Sequence, residues 1–189
     1  MPILQIVDTI RYDTKALYNV INYVAREDKC QCRCIGATNV YLDQSDIVNT
    51  INDHFMKLWE YHCKTKGKFA QHLIIELAPS EVKYLTADSV LCLAYRFAQK
   101  EFPNLICYFA VHDHALYHDE HNNLLPRFHI DMIVFLLDIF SGRIAGFHKG
   151  AEYKMLFDFI ALLNQFVQDE DIQRNKSFVK NGRTNHHFY

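Results

Sequence analysis

The sequence predicts an α+β fold: a mostly antiparallel sheet with a histidine-bearing hairpin at its centre and helices packed against it. Three observations carry this. Short β-rich apolar runs alternate with segments of helical spacing in the order β-α-β-α-β-α-β-β-α. Two long apolar runs follow one another directly, separated only by a polar, histidine-rich stretch suited to a hairpin. The 189 residues, 50% hydrophobic and 22% charged, are enough for one core and too apolar for a disordered chain.

Residues 3–10 are partly alternating and β-branched and read as a strand, and Thr14 offers an N-cap to a helix with Leu17, Val20, Ile21 and Val24 on one side. Residues 32–42 look extended, with Gly36 and Asn39 as irregularities. Ser45 can cap a second helix whose stripe is Ile47, Val48, Ile51, Phe55, Leu58 and Trp59, ending before the loop 64–68. His72–Leu77 is short and β-rich, a buried strand, and Thr86 opens a third helix that Pro103 stops. Residues 105–112 and 128–137 are the paired strands. Ser141-Gly142-Arg143 is a turn, and a fourth helix runs from about Ala151 to Val167. These readings place one domain at 1–168 and a basic C-terminal tail or flap at 169–189.

Twenty Lys and Arg against 22 Asp and Glu leave a formal charge of −2, so any contact with a polyanion must use a local patch. No apolar run reaches the roughly 18 residues of a membrane span, and the N-terminus lacks the charged and cleavage regions of a signal peptide. A cytoplasmic protein with no membrane span is expected. The six cysteines, three alternating at 30, 32 and 34 and three single, fit reduced thiols better than a disulfide framework or a zinc site.

Five of the 11 histidines lie between residues 112 and 129. Alternation along a strand puts Tyr108, Ala110 and His112 on one face, and His129, Asp131 and Ile133 on one face of the next strand. Antiparallel pairing would then bring His112, His129 and Asp131 together at one end of the sheet. Two imidazoles and a carboxylate suit Mn²⁺, Fe²⁺, Zn²⁺ or, less well, Mg²⁺, and leave coordination positions open for a substrate oxygen. The 16 residues between His112 and His129 read as a long loop, from which His114, His118 or His121 could add a ligand.

Several segments together resemble a known family. They are Ala16-Leu-Tyr-Asn-Val-Ile-Asn-Tyr23-Val-Ala-Arg-Glu-Asp-Lys29, His72-Leu-Ile-Ile-Glu-Leu-Ala-Pro-Ser-Glu81, Tyr108-Phe-Ala-Val-His112-Asp, Phe128-His-Ile-Asp-Met-Ile-Val, and Ser141-Gly-Arg. In order and spacing they are similar to the relaxase/mobilisation nucleases of the HUH endonuclease superfamily, conjugative relaxases whose fold is related to the ferredoxin-like palm. The resemblance spans about residues 3–165. It implies a metal-dependent tyrosine DNA nickase and strand transferase for conjugation and plasmid mobilisation. Such an enzyme cuts single-stranded or extruded DNA at a transfer origin through a 5′-phosphotyrosine intermediate, with accessory mobilisation proteins as further partners. Carried over by position, Tyr23 is the nucleophile, with Tyr18 and Tyr12 as nearest substitutes. His112, His129 and Asp131 hold a divalent ion, Mn²⁺ or Mg²⁺. Lys29, Lys64, Lys66, Lys68, His72, Arg127, Arg143 and Lys149 are the candidate DNA contacts, and His72 could instead touch the groups that surround the ligands. The chain departs from the family in having His129-x-Asp131 where a His-x-His pair is usual, and Arg127 where a further histidine often stands. A catalytically silent nucleic-acid-binding or regulatory protein on the same fold, or an HUH replication initiator or transposase, is the alternative.

Overall fold

The computed structural model describes residues 2–11, 13–26, 34–43, 45–77, 85–118, 121–122, 124–148 and 150–183. Five strands, β1 (Ile3–Arg11), β2 (Ile35–Thr38), β3 (Lys68–Glu76), β4 (Cys107–His118) and β5 (Leu124–Phe135), form one sheet in the order β1-β3-β5-β4-β2, and every neighbouring pair is antiparallel. Among the described residues, four helices, α1 (Thr14–Val24), α2 (Ile47–Tyr61), α3 (Ala87–Glu101) and α4 (Ala151–Arg183), follow the expected element order. The α+β class, the antiparallel sheet and the central hairpin are as the sequence predicts.

Alternation divides the sheet residues between two cores. Ala70, Tyr108, Ala110, Ile133 and Phe135 pack under α1 and α2 with Leu17, Ile21, Val24, Ile51, Phe55 and Trp59. Leu73, Ile75, Phe109, Val111, Ile130, Met132 and Val134 pack under α3 and α4 with Val90, Leu93, Phe97, Phe159 and Leu163. Phe55 lies against Trp59, Phe69 and Phe135 with ring centroids 5.6, 5.5 and 4.4 Å away, so one aromatic cluster fastens α2 to the sheet.

Boundaries differ from the sequence reading for local reasons. Asp13, not Thr14, caps α1, its carboxylate accepting from Lys15 N at 2.9 Å and Ala16 N at 3.0 Å. Asp46, not Ser45, precedes α2 and makes no side-chain cap. Thr86 caps α3 as expected, accepting from Ser89 N. β2 is shorter than 32–42 because Asn39 takes a left-handed conformation (φ 61°) and its amide donates to the carbonyls of Pro103 and Leu105. β3 begins at Lys68, four residues before the expected start, so Lys68 belongs to the sheet and not to the loop.

The largest correction concerns the hairpin. The ladder does not end at His112 and His129. It runs through a bulge to His118 opposite Leu124, which turns most of the expected long loop into strand. Helix α4 also continues past Val167 to Arg183. No helix among the described residues is long and apolar enough to cross a membrane.

Candidate metal centre

His112 faces His129 directly across the β4–β5 ladder, and Asp131 lies two residues further along β5, opposite Ala110 on one side and Ile74 on the other. All three side chains therefore emerge on the face covered by α1 and α2, where the apolar packing of that layer ends. His112 and Asp131 are fully buried; the His129 side chain keeps 21% of its exposure and forms the open side.

The inward atoms make a tight triangle. Asp131 Oδ2 is 2.7 Å from His112 Nδ1 and 3.3 Å from His129 Nε2, and the two nitrogens are 3.0 Å apart. Atoms this close either share a hydrogen-bonding proton or can ligate a common cation. Ligands about 2.1 Å from a divalent ion and about 90° apart stand about 3.0 Å from one another, the mean edge of this triangle. The residues thus fit a divalent cation in a two-histidine, one-carboxylate set.

Neighbouring groups orient the ligands. His112 Nε2 donates to the Val24 carbonyl at 3.1 Å, which turns its Nδ1 inward. His72, on β3, donates through Nε2 to Asp131 Oδ1 at 2.8 Å, leaving Oδ2 for the triangle. Burial pushes the Asp131 carboxyl up, but His112, His129 and His72, in contact with both its oxygens, outweigh that and hold it well below the usual carboxylate range.

Tyr23 stands beside this network. It occupies the last turn of α1, one residue before Val24, and its ring meets His72 edge-on with centroids 6.2 Å apart. Leu17, Ile21 and Val24 take the buried stripe of α1, so Tyr23 projects from the margin and is 38% exposed. The Arg26 guanidinium lies 6.0 Å from the Tyr23 ring centroid. Tyr18 is also exposed but sits five residues earlier on the helix, on a different side.

The other candidates separate into groups. Arg127 lies at the rim of the centre on β5, paired with Glu76 at 2.7 Å, and Glu76 is the cross-strand neighbour of His129. Lys64, Lys66, Lys68 and Arg143 lie toward the opposite end of the sheet and do not join the metal centre. Lys68 is four strand residues from His72, about 13 Å, and Arg143 lies beyond Leu137, about 20 Å along β5 from Asp131. His118 and His121 are exposed near the hairpin tip, and His118 is six strand residues, about 20 Å, from His112. Lys29, Lys149, Tyr12 and the side chains of His114 and of the tail beyond residue 169 lie outside the described residues.

The sequence brings the three residues together and leaves His72 open as a DNA contact or as a group beside the ligands, and the structure bonds it to Asp131. The bond from His112 to a main-chain carbonyl has no side-chain signature, and the His72–Asp131 contact depends on the β3–β5 register. Arg26, a cation three residues after Tyr23, is the one neighbour of the phenol whose place is legible in the sequence.

No family model matches the chain, and no curated protein matches it. Among solved structures, the fold is similar to that of a chain from work on the molecular basis of vancomycin resistance transfer in Staphylococcus aureus, with a TM-score of 0.55 over 90% of this chain and 94% of that one. At 12% identity the likeness is one of fold alone, and it agrees with the α+β class expected from the sequence.

Proposed function

We propose that the protein is a relaxase-type DNA strand transferase. In this reading it nicks single-stranded or extruded DNA in the cytoplasm during transfer of a mobile element, with Tyr23 as nucleophile and His112, His129 and Asp131 as ligands for Mn²⁺ or Mg²⁺. The observation that carries the reading is the phenol of Tyr23 beside His72, itself bonded to the carboxylate of the ligand triangle. The similarity to a structure associated with resistance transfer supports the same direction.

Held by His112, His129 and Asp131, a divalent cation would supply positive charge to offset the negative charge that builds on the phosphate during displacement. The chain's residues do the rest. Tyr23, on the rim, can meet a strand laid over His129 without any movement of the core. Its Oη forms the bond to phosphorus while the bond to the 3′ oxygen breaks. The phenol's proton is balanced by the one the leaving 3′ oxygen gains, and the products are a 5′-phosphotyrosine and a 3′ hydroxyl. Arg127 lies where its charge can meet the backbone of the bound strand.

The test is incubation with single-stranded oligonucleotides covering candidate origin sequences in Mn²⁺, read as a covalent protein–DNA adduct on a denaturing gel. Wild type forms the adduct, and Tyr23→Phe and His112→Ala do not. An adduct that persists in Tyr23→Phe overturns the assigned nucleophile. Strand binding with no adduct under any divalent ion favours a silent DNA-binding protein.

A further inference from the structure

At the end of the molecule remote from the metal centre, two loops lock together. His62, just after α2, sets Nε2 3.4 Å from the Ile139 carbonyl, and a Cβ on Gly142 would run into the His62 ring. Gly67 is equally close to Ile144, where a Cβ would come within 2.6 Å of Cδ1. The joined loops expose two large aromatic rings. Tyr61 is 79% exposed and stacks edge-on against His62 with centroids 5.0 Å apart, while Phe140, next to Ile139, is 77% exposed.

Phe140 is presented by a braced turn. Asp138 accepts from Phe140 N at 3.1 Å, Ser141 N at 2.7 Å and Ser141 Oγ at 2.9 Å, and its own N–H donates to the Arg143 carbonyl. The turn thus fixes Phe140 in water on the loop that is locked to the one following Tyr61, so both rings stand open at one end of the molecule. The surrounding charge selects the ligand. Lys64, Lys66, Lys68 and Arg143 belong to these loops or their flanks, and none makes an ion pair with another described residue. Glu60 is the exposed acid adjoining Tyr61, and the Asp138 carboxylate is engaged by its own turn.

Exposed rings interleaved with cations that pair with no described acid suit unpaired bases and their phosphates; a rigid duplex would shield its base faces. We propose that Tyr61, Phe140, Lys64, Lys66, Lys68 and Arg143 form a single-strand-binding platform separate from the metal centre, holding DNA or RNA by base stacking and phosphate contact without sequence readout. The platform is independent of the chemistry at Tyr23. It gives the protein a grip on a strand about 20 Å from the ligand triangle.

The experiment is fluorescence anisotropy of the full-length protein with labelled oligothymidylate of 16 nucleotides, in EDTA and over a salt series. Wild type binds. The double variant Tyr61→Ala with Phe140→Ala weakens binding by tenfold or more, because each stacked base contributes at least about fivefold. The triple variant Lys64→Ala, Lys66→Ala and Lys68→Ala flattens the plot of log affinity against log salt by about 2, the release expected for three phosphate contacts. Variants that melt with wild type yet bind the strand as wild type overturn the platform and point to a protein partner for the rings; no binding by wild type overturns it too. Mn²⁺ uptake followed by calorimetry keeps the two proposals apart. A protein that grips the strand through these residues but takes up no Mn²⁺ overturns only the metal-dependent reading. Uptake of Mn²⁺ with unaffected surface variants overturns only the platform.

Discussion

His72 holds the outer oxygen of the Asp131 carboxylate at 2.8 Å, so the orientation of a candidate ligand on β5 is set from β3. Without that bond Oδ1 loses its partner in a buried site and the carboxylate is free to rotate. His72→Ala is therefore expected to weaken Mn²⁺ binding by about 10- to 100-fold while leaving all three ligands in place, and calorimetric titration measures it. Affinity unchanged in this variant would mean that the β5 backbone alone orients Asp131.

Asp131→Asn is nearly isosteric and its carbonyl can still accept from His72. Its amide group would then turn two N–H donors toward His112 Nδ1 and His129 Nε2, putting donors where a cation needs lone pairs. Mn²⁺ binding should fall by about 100-fold or more with the fold retained. Titration and a melting curve on the same sample check both halves.

The aromatic cluster under α2 provides a stability test away from the centre. Phe69 lies edge-on to Trp59 with centroids 4.6 Å apart and is fully buried. Phe69→Ala should cost about 3–5 kcal/mol, because the lost transfer free energy adds to that of the cavity left behind. Trp59 is the sole tryptophan, so a red shift of its emission would report water reaching the same cavity. Denaturant unfolding with fluorescence detection gives both numbers.

How far the sequence could be read follows from the range of the interactions involved. Alternation along β4 and β5 was enough to bring His112, His129 and Asp131 to one face, since one register fixes all three. The hairpin length was not legible. Residues 113–127 are mostly polar, and cross-strand pairing carries the ladder past the end of their apolar pattern. Likewise, the spacing Lys64, Lys66, Lys68 reads as a local patch. Its distance from the histidines depends on β3 starting at Lys68, four residues before its first expected position. Helix ends moved by one residue wherever two capping side chains stood together, as with Asp13 and Thr14.

Thiol reactivity should separate the cysteines by burial. Burial pushes the Cys107 thiol up to about 12, against a smaller opposing effect of the Thr38 hydroxyl, so almost no thiolate forms at pH 8. Cys63 and Cys92 are exposed. Iodoacetamide at pH 8 followed by peptide mass spectrometry should find Cys63 and Cys92 alkylated within minutes and Cys107 only after unfolding. Rapid labelling of Cys107 in the native protein would mean that the β2–β4 edge opens.

A small ion network couples α3 to α4 and gives a pH dependence of definite sign. Asp158 lies 2.7 Å from Lys154 and 2.9 Å from Lys100, and Lys154 also reaches Glu101 at 3.2 Å. The hydrogen bond from Lys154, then that from Lys100, brings the Asp158 carboxyl down to about 2. Because the folded-state value lies below the unfolded one of about 4, the contribution is fully present above pH 4 and is lost as pH falls through 2. Lys100 and Lys154 are exposed and Asp158 is partly so, and salt screens the pairs, so the effect is small. Asp158→Asn should lower the Tm by a few degrees at most at pH 7 in low salt. The difference from wild type should shrink in 1 M NaCl and vanish below about pH 2. An equal difference at pH 7 and at pH 2 would show that Asp158 acts through packing and not through its charge.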